Sequence, residues 1–171
     1  MSNISFRNDV LPLKDILYRL ALRLTLTPQD AEDIVQETLI KVWSRRDQWQ
    51  EIDSIEAYCL TICHNLALDH LRKNDNMNLS LEDNPLDRPD QHSLSPYEAA
   101  NSSDRIELVR RLIDRLPEKQ RACMQLRDFE GKAYKEIAQI LEISEDQVRV
   151  NIFRARQTIK QQFQQAENYG L

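Results

Sequence analysis

The chain has 171 residues, of which 41% are hydrophobic and 30% charged, a balance typical of a globular protein and unlike that of a wholly disordered chain. Its two glycines, Gly131 and Gly170, are too few for glycine-rich phosphate loops, dinucleotide-binding fingerprints or most turn-rich β architectures. The net charge of −5 excludes a chain that is basic throughout. The composition therefore favours helices joined by polar turns.

The hydrophobic runs and the cysteines bear on the cellular compartment. No apolar run approaches the roughly 20 residues that span a bilayer, and residues 1–9 have no signal-peptide apolar stretch. We therefore expect a cytoplasmic protein. The three cysteines, Cys59, Cys63 and Cys123, are too few and too irregularly spaced for a disulfide framework, so we expect them to be reduced.

Two helices are predicted at the start of the chain. The first is the apolar segment Leu11–Leu26, and Thr27 and Pro28 then suit the N-cap and the first position of the second. One face of this second helix repeats at helical spacing and is expected to be buried: Ala31, Ile34, Val35, Thr38, Leu39, Val42 and Trp43. The opposite face is polar and carries several acidic side chains.

A third helix is predicted to begin after Asp53 or Ser54, with Glu56 placed to form a capping box with Asp53. It carries two apolar stripes, which predict packing on two sides: Ile55, Tyr58, Cys59, Ile62, Cys63 and Leu66 on one, and Leu60, Ala67 and Leu71 on the other. Three helices of this kind can enclose one small core.

The middle of the chain has a different composition. Residues 74–103 are rich in Asn, Asp, Ser and Pro and carry a net charge of −5, against −2 for residues 1–73 and +2 for residues 104–171. Such a segment buries too little apolar surface to offset the entropy of ordering it, and it is too long for a loop inside one compact domain. We therefore predict an all-α fold of two small helical domains, 1–73 and 104–171, joined by a flexible acidic linker, 74–103.

The last part of the chain predicts four helices. They run from about Ser103 to Arg115, from Pro117 to Phe129, over Tyr134–Leu141 and from Ser144 onward, with Gly131 as a helix stop and a capping box between Ser144 and Gln147. Beyond Gln147 there are four basic residues and one acidic residue. Two short helices joined by a tight turn, the second one basic, are typical of a helix-turn-helix.

Three motifs in this order resemble bacterial sigma factors. The run from Asp30 to Trp43 resembles their core-binding helix, and the stretch from Ala57 to Arg72 resembles their promoter-melting helix. Four further stretches resemble their C-terminal helix-turn-helix: Leu116–Arg121, Tyr134–Ala138, Ile143-Ser144 with Val148, and Phe153–Arg156. Because only these two domains are present, the likeness is to the small extracytoplasmic-function sigma factors, over residues 11–73 and 104–163.

This resemblance implies three binding surfaces. A polymerase-binding surface would use Asp33, Gln36, Glu37 and Lys41; a −10 surface would use Asn65, Asp69, Arg72 and Lys73; and a −35 surface would use Arg149, Val150, Phe153, Arg154 and Arg156. The partners implied are core RNA polymerase, promoter DNA and, in family members that have one, a membrane-associated anti-sigma factor. We expect the free chain to be a monomer and to need no cofactor.

The recognition helix departs from the family pattern in three places. Glu142 stands where many members have Gly, and a left-handed conformation there would cost roughly 1 kcal/mol relative to Gly. Glu145 and Asp146 at the start of the helix repel DNA phosphates. Val150 stands where many members have a serine, which removes one hydrogen bond to DNA.

Two other functions fit parts of the sequence. A stand-alone helix-turn-helix regulator would use residues 1–73 to dimerise, although it has no need of the Asp30–Trp43 motif. An enzyme or metal-binding protein would have to be built on Cys59, Cys63 and His64, but both cysteines lie on an apolar stripe, where buried structural thiols are expected. We find no arrangement of residues that indicates catalysis, and we expect no metal site.

Overall fold

The computed structural model describes residues 3–80 and 102–169, and the side chains within these ranges except those of residues 76–80 and 102. These ranges contain seven α-helices and no β-strand: α1 Lys14–Thr25, α2 Pro28–Ser44, α3 Ile55–Ser80, α4 Ser102–Asp114, α5 Glu118–Met124, α6 Tyr134–Leu141 and α7 Glu145–Tyr169. Shorter 3-10 segments cover Leu11–Leu13 and Arg46–Glu51, and π-helical turns cover Phe6–Val10 and Gln125–Phe129. The predicted all-α fold is confirmed.

The first domain is a three-helix bundle. Helices α1, α2 and α3 contact one another in all three pairings. Their shared core is fully buried and aliphatic, with Leu17, Leu20 and Leu24 from α1, Val42 from α2 and Leu60 from α3. Trp49, in the 3-10 segment after α2, closes the bundle and donates its indole N–H to the carbonyl of Val42 at 3.1 Å.

The second domain is built around α7. Helices α4, α5 and α6 all contact α7, and α6 with the start of α7 forms the predicted helix-turn-helix. Its buried side chains include Ile113, Leu126, Ile137, Ile140, Val148 and Ile152. The buried face of α7 is formed by Val148, Ile152 and Ala155, and Ile159 is half-buried.

The two domains are docked against each other. Helix α1 contacts α5 and the Gln125–Phe129 turn, and α3 contacts α6, so that the buried apolar side chains of the bundle and of the helix-turn-helix form one continuous cluster. A polar network, which we call the arginine seam, runs along the edge of this contact: Arg19 and Arg23 from the first domain, and Asp114, Gln125 and Glu130 from the second.

Side-chain caps begin two of the helices, and one of them differs from the sequence prediction. The Ser144–Gln147 capping box is confirmed, because each backbone N–H donates to the other residue's side chain at 3.0 and 3.1 Å. The capping box predicted between Asp53 and Glu56 is wrong. Ser54 caps α3 by accepting from the N–H of Ala57 at 3.2 Å, while Glu56 pairs with Lys132 of the second domain.

The predicted linker differs at its ends from the structure. Helix α3 continues to Ser80, and α4 already begins at Ser102, so residues 74–80 and 102–103 of the predicted linker are helical. Once a helix has formed, each further residue that joins it gains one backbone hydrogen bond, whereas starting a helix fixes several residues for a single bond. This explains how α3 extends into a polar sequence. The remainder of the predicted linker, 81–101, lies outside the described residues.

Three residues in the described chain have a positive φ; one lies in the turn of the helix-turn-helix and one just before its first helix. Glu142 ends α6 with φ 59° and ψ 43°, and Gly131 has φ 71° just before α6. The third, Leu26, ends α1 with φ 64°. Glycine tolerates this conformation without steric cost, whereas a side chain does not.

Substitutions at these two turns should shift stability in opposite directions. We expect Glu142→Gly to raise the free energy of unfolding by about 0.5 kcal/mol, since relief of the left-handed strain outweighs the added freedom of the unfolded chain. Gly131→Ala should lower it by about 1 kcal/mol. A Cβ at Gly131 meets nothing within 4 Å, so this cost comes from the backbone alone.

Urea denaturation measures both changes. Glu142→Ala is the control, because it removes the carboxylate and keeps the Cβ in the left-handed region. If the alanine variant is as stable as the glycine variant, then lost charge and not relieved strain explains the gain.

Candidate functional site

One face of α2 is exposed along its whole length. Of the residues predicted to bind polymerase, Asp33, Gln36 and Glu37 are exposed on this face, and Lys41 is half-buried at its edge. Ile40 lies between them, three and four residues from Glu37 and Gln36, and 67% of its surface is exposed. The sequence analysis missed Ile40, although an aliphatic residue off the buried stripe of an amphipathic helix is a recognisable signal.

The C-terminal end of this face carries an aromatic cluster. Trp43 was predicted to be buried, but 48% of it is exposed. Its ring packs edge-on against Phe6 and Trp49, with ring centroids 5.3 and 6.2 Å apart. The guanidinium carbon of Arg46 lies 4.6 Å from the centroid of the Trp43 ring. Because Trp49 fills the core position beneath it, Trp43 is displaced to the surface and extends the apolar part of the α2 face beyond Ile40.

Helix α3 presents a second polar surface. Asn65, Asp69, Arg72 and Lys73 are all exposed, and the first three lie within one stripe of the helix. Arg72 and Asp69 approach to 4.0 Å, and Asn65 lies one turn before Asp69 on the same stripe. The structure therefore brings the predicted −10 residues together.

His64, one residue before Asn65 and about a quarter turn around α3 from it, is 7% exposed. Burial lowers its pKa; a hydrogen bond involving Asn65 and the charge of Glu142 act to raise it, and the charge of Lys119 acts to lower it further. Its Nδ1 has no hydrogen-bond partner. Both charged residues belong to the second domain, so His64 faces the docked interface and not the predicted −10 surface.

The exposed face of α7 carries most of the predicted −35 residues. Arg149, Val150, Phe153 and Arg154 are exposed, and Phe153 has 66% of its surface accessible, which excludes a core role for it. Gln157, four residues after Phe153, is exposed on the same face and was missed by the sequence analysis. A glutamine there carries no pattern that separates it from an ordinary surface residue.

The charges at the start of α7 partly cancel. Arg149 lies 3.4 Å from Asp146 and 3.9 Å from Glu145, and its guanidinium is 5.4 Å from the ring of Tyr134. These acidic side chains at the helix N-terminus favour the helix dipole, but they also compete with DNA for Arg149. The apolar side chains Val150 and Phe153 have no such competitor.

Arg156 stands apart from the other predicted −35 residues. Its guanidinium forms a two-point pair with the carboxylate of Asp128, with Nε to Oδ2 at 3.2 Å. This pair ties α7 to the turn after α5. The structure thus directs Arg156 toward its own domain, whereas Arg149, Val150, Phe153 and Arg154 face outward.

The cysteines are buried thiols. Cys59, Cys63 and Cys123 are fully buried and free, and burial raises the pKa of each to about 12. Cys63 also lies 3.4 Å from the carbonyl of Leu17. Within residues 3–80 and 102–169, no group of three metal-ligating side chains comes together, and no helix is long and apolar enough to cross a membrane.

Comparison with known families identifies both domains. A model of sigma-70 region 2 matches residues 10–77, and a model of sigma-70 region 4 matches residues 106–159. The RNA polymerase sigma-H factor of Pseudomonas aeruginosa is 30% identical over 163 residues, which cover 91% of this chain and 84% of that protein. The chain belongs to the sigma-70 family of RNA polymerase sigma factors, in the extracytoplasmic-function group.

Two further comparisons support this assignment. The ECF RNA polymerase sigma factor SigE of Mycolicibacterium smegmatis is 32% identical over 146 residues, or 85% of this chain, and the chain spans 56% of that longer protein. The sigma factor RpoE of Bartonella quintana, solved in complex with the anti-sigma factor NepR, superposes with a TM-score of 0.72 at 22% identity, covering 91% of this chain and 94% of that one. The latter likeness concerns the fold.

Burial should make the native thiols unreactive. At pH 8, a pKa of about 12 leaves almost none of each cysteine as thiolate, the form that attacks a disulfide reagent. We expect Ellman's reagent to modify three thiols promptly in guanidinium chloride and none at a comparable rate in the folded protein. A thiol that reacts quickly in the native protein would contradict the buried assignment, and single Cys→Ser variants would identify it.

Proposed function

We propose that this chain binds core RNA polymerase through α2 and directs transcription initiation in the cytoplasm, where it reads the −10 element with α3 and the −35 element with α7. The observation that carries this proposal is the α2 face, where one large aliphatic side chain stands exposed among acidic and amide groups. Sigma factors are initiation factors, so we assign the chain no catalytic step.

The α2 face has the composition of a protein-binding surface. Protein interfaces concentrate binding energy in a few central apolar or aromatic side chains and surround them with polar groups that exclude water. Ile40 fits the central position, with Trp43 at one end and Asp33, Gln36 and Glu37 around it. Ile40 and Trp43 together give this face an exposed apolar part, which suits coverage by a partner surface.

The α3 surface suits an unstacked base. A flipped base needs donors and acceptors for its edge, and the carboxamide of Asn65 supplies both. Arg72 and Lys73, about two turns after Asn65, are exposed cations that suit the phosphates of the same strand. Asp69 is placed to orient Arg72, which it approaches to 4.0 Å.

The α7 face suits a major groove read largely by apolar contact. Phe153 and Val150 can pack against thymine methyl groups, and Arg149 can pair with a guanine once it leaves Asp146. Arg154 is exposed for a phosphate contact. Arg156 serves the promoter complex in this proposal by holding α7 on its domain through Asp128.

Neither domain is expected to bind promoter DNA tightly by itself. Residues 1–73 carry a net charge of −2, and in residues 104–171, whose net charge is +2, Arg149 is partly neutralised by Asp146 at 3.4 Å. When both domains are bound to the same polymerase, contact of one domain with the promoter brings the other domain close to its own element. The second contact then forms at a high effective concentration, so the two weak contacts together bind more tightly than either alone. Promoter recognition in this proposal therefore depends on polymerase binding.

We also propose control by an anti-sigma factor. This is supported by the likeness of the fold to a sigma factor solved with its anti-sigma factor over nearly the whole chain. Such a protein would act by covering the exposed α2 face. A stand-alone regulator would instead bind DNA without polymerase and would form stable dimers.

Charge reversal on α2 should abolish polymerase binding. We expect Asp33→Arg combined with Glu37→Arg to eliminate stoichiometric co-elution with bacterial core polymerase, since like charges would face a surface that accepts carboxylates. Ile40→Ala should weaken binding roughly tenfold, because it removes most of an exposed aliphatic side chain from the centre of the interface. Size-exclusion chromatography and a titration of labelled protein measure the two effects.

The matched control is Asp47→Arg combined with Glu51→Arg. It has the same change of charge in the same domain, on two exposed residues of the 3-10 segment after α2. Equal loss in both double variants would indicate a general charge effect. Wild-type protein that ignores core polymerase and shifts DNA alone would refute the proposal in favour of the stand-alone regulator.

The apolar contacts of α7 should determine −35 selectivity. We expect Phe153→Ala to reduce discrimination between matched and mismatched −35 elements by about 1–3 kcal/mol at the base pair it contacts. Promoters selected by wild-type holoenzyme from a random library provide the substrates. Ile106→Ala, which removes another exposed apolar side chain of the second domain, is the control and should leave this discrimination intact.

A further inference from the structure

An acidic side chain lies among the outward-facing residues of α7. Asp146 stands three residues before Arg149 and seven before Phe153, so the helical repeat places it on the face that these two side chains share. It is the second residue of α7, at the end of a recognition helix whose side chains contact base edges. The side chain of Asp146 is 91% exposed. It is therefore accessible to whatever Arg149 and Phe153 contact.

Glu145 occupies a different position from Asp146. At about 100° per residue, Asp146 is about 20° around the helix from Phe153, whereas Glu145 is about 80° from it. The side chain of Glu145 is 46% exposed and approaches Arg149 at 3.9 Å from the edge of this face. Of the two carboxylates at the start of α7, Asp146 is thus the one that lies on the same stripe as Phe153.

The partner of Asp146 in the free chain is Arg149. The guanidinium Nη1 of Arg149 donates to Oδ1 of Asp146 at 3.4 Å, and the Arg149 side chain is 56% exposed. Ion pairs between exposed side chains three residues apart on a helix stabilise it only slightly, because water screens both charges. This pair can therefore be exchanged for other contacts at little cost in free energy.

An exchange with DNA leaves both charges paired only if a base meets each of them. Arg149 donates, and the O6 and N7 acceptors of guanine suit it. An ionised carboxylate such as that of Asp146 only accepts, so it requires a donor. The donors in the major groove are the N4 amine of cytosine and the N6 amine of adenine, whereas guanine and thymine present oxygen atoms that repel a carboxylate.

We propose that Asp146 is a specificity-determining residue of the −35 surface, which accepts a hydrogen bond from the amine of a cytosine or adenine next to the guanine that Arg149 reads. This inference rests on the function proposed above for α7. The three residues from Asp146 to Arg149 span about 4.5 Å of helix, which is close to the step of about 3.4 Å between bases of one strand. Asp146 thereby rejects guanine and thymine at that position of the strand it reads.

Promoter selection by holoenzyme tests this role. Wild-type and Asp146→Asn chains, each bound to core polymerase, select promoters from a library randomised over the −35 element. Asparagine keeps the shape of the side chain, but its amide both donates and accepts, so it tolerates any of the four bases. We expect the wild type to favour cytosine or adenine about tenfold over guanine or thymine at one position beside a guanine, and the variant to lose that preference.

Base analogues identify the atom that Asp146 contacts. Replacing the selected cytosine by 2-pyrimidinone, or the selected adenine by purine, removes the exocyclic amine and keeps the ring. Titration of a labelled promoter with holoenzyme should show roughly tenfold weaker binding by the wild type, and a much smaller loss in Asp146→Asn. Equal losses in the two proteins would contradict a hydrogen bond from this amine to Asp146.

The matched control is Glu107→Gln. Glu107 approaches Arg110 to 3.7 Å in an exposed pair on α4 with the same three-residue spacing, and the change removes the same charge outside the −35 surface. This variant should keep the base preferences of the wild type. Circular dichroism establishes that both variants retain their helices.

The outcomes separate this inference from the function on which it rests. If Asp146→Asn keeps every base preference, or changes affinity for all promoters alike, then Asp146 serves only its helix and the inference is wrong. Arg149→Ala should lose the guanine preference, and its doing so while Asp146→Asn selects as the wild type does would leave the function of α7 standing without the role of Asp146. Wild-type holoenzyme that selects no −35 sequence would refute both.

Discussion

The placement of the two domains in this sigma factor depends on the hydrogen bonds and ion pairs of two arginines of α1. Arg19 and Arg23 extend from a helix whose other face is the core of the first domain, and their partners all belong to the second domain. Burial lowers the pKa of Arg23, while the charge of Asp114 acts to raise it, and its guanidinium also lies 5.0 Å from the ring of Phe129. Parting the domains would expose these cations to water again. The relative placement of the two domains is therefore coupled to a small number of polar contacts.

The pattern of buried apolar residues explains why most of the fold could be predicted. The helices of both domains repeat at helical spacing, and their ends are marked by residues with definite conformational roles, such as Ser144 with Gln147 and Gly131. Where two neighbouring residues compete for one role, sequence alone is weaker. Asp53 and Ser54 both suit an N-cap, and only the path of the backbone decides that Ser54 accepts the hydrogen bond.

The exposed surfaces also have some features that the sequence predicts and others that it does not. A resemblance supplies positions such as Asn65 and Phe153, and their exposure follows from the helical repeat. The resemblance does not indicate that Arg156 pairs with Asp128, 28 residues earlier in the chain. Nor does it indicate that Trp49 is buried in the core while Trp43 packs against it at the surface. A contact between distant segments decides the first case, and the packing of two tryptophans six residues apart decides the second. The docking of the domains is the largest such contact, and no local pattern encodes it.

The acidic start of α7 has a consequence for how the protein distributes itself in a cell. A genome offers a vast excess of irrelevant sequence, and a strongly basic recognition helix would be held there by its phosphates. Asp146 and Glu145 occupy Arg149 at 3.4 and 3.9 Å, so an arbitrary stretch of duplex gains little from approaching this helix. In the function proposed above, the free protein is thereby left available for polymerase, and the carboxylates are displaced only at a site that offers Arg149 base contacts in return.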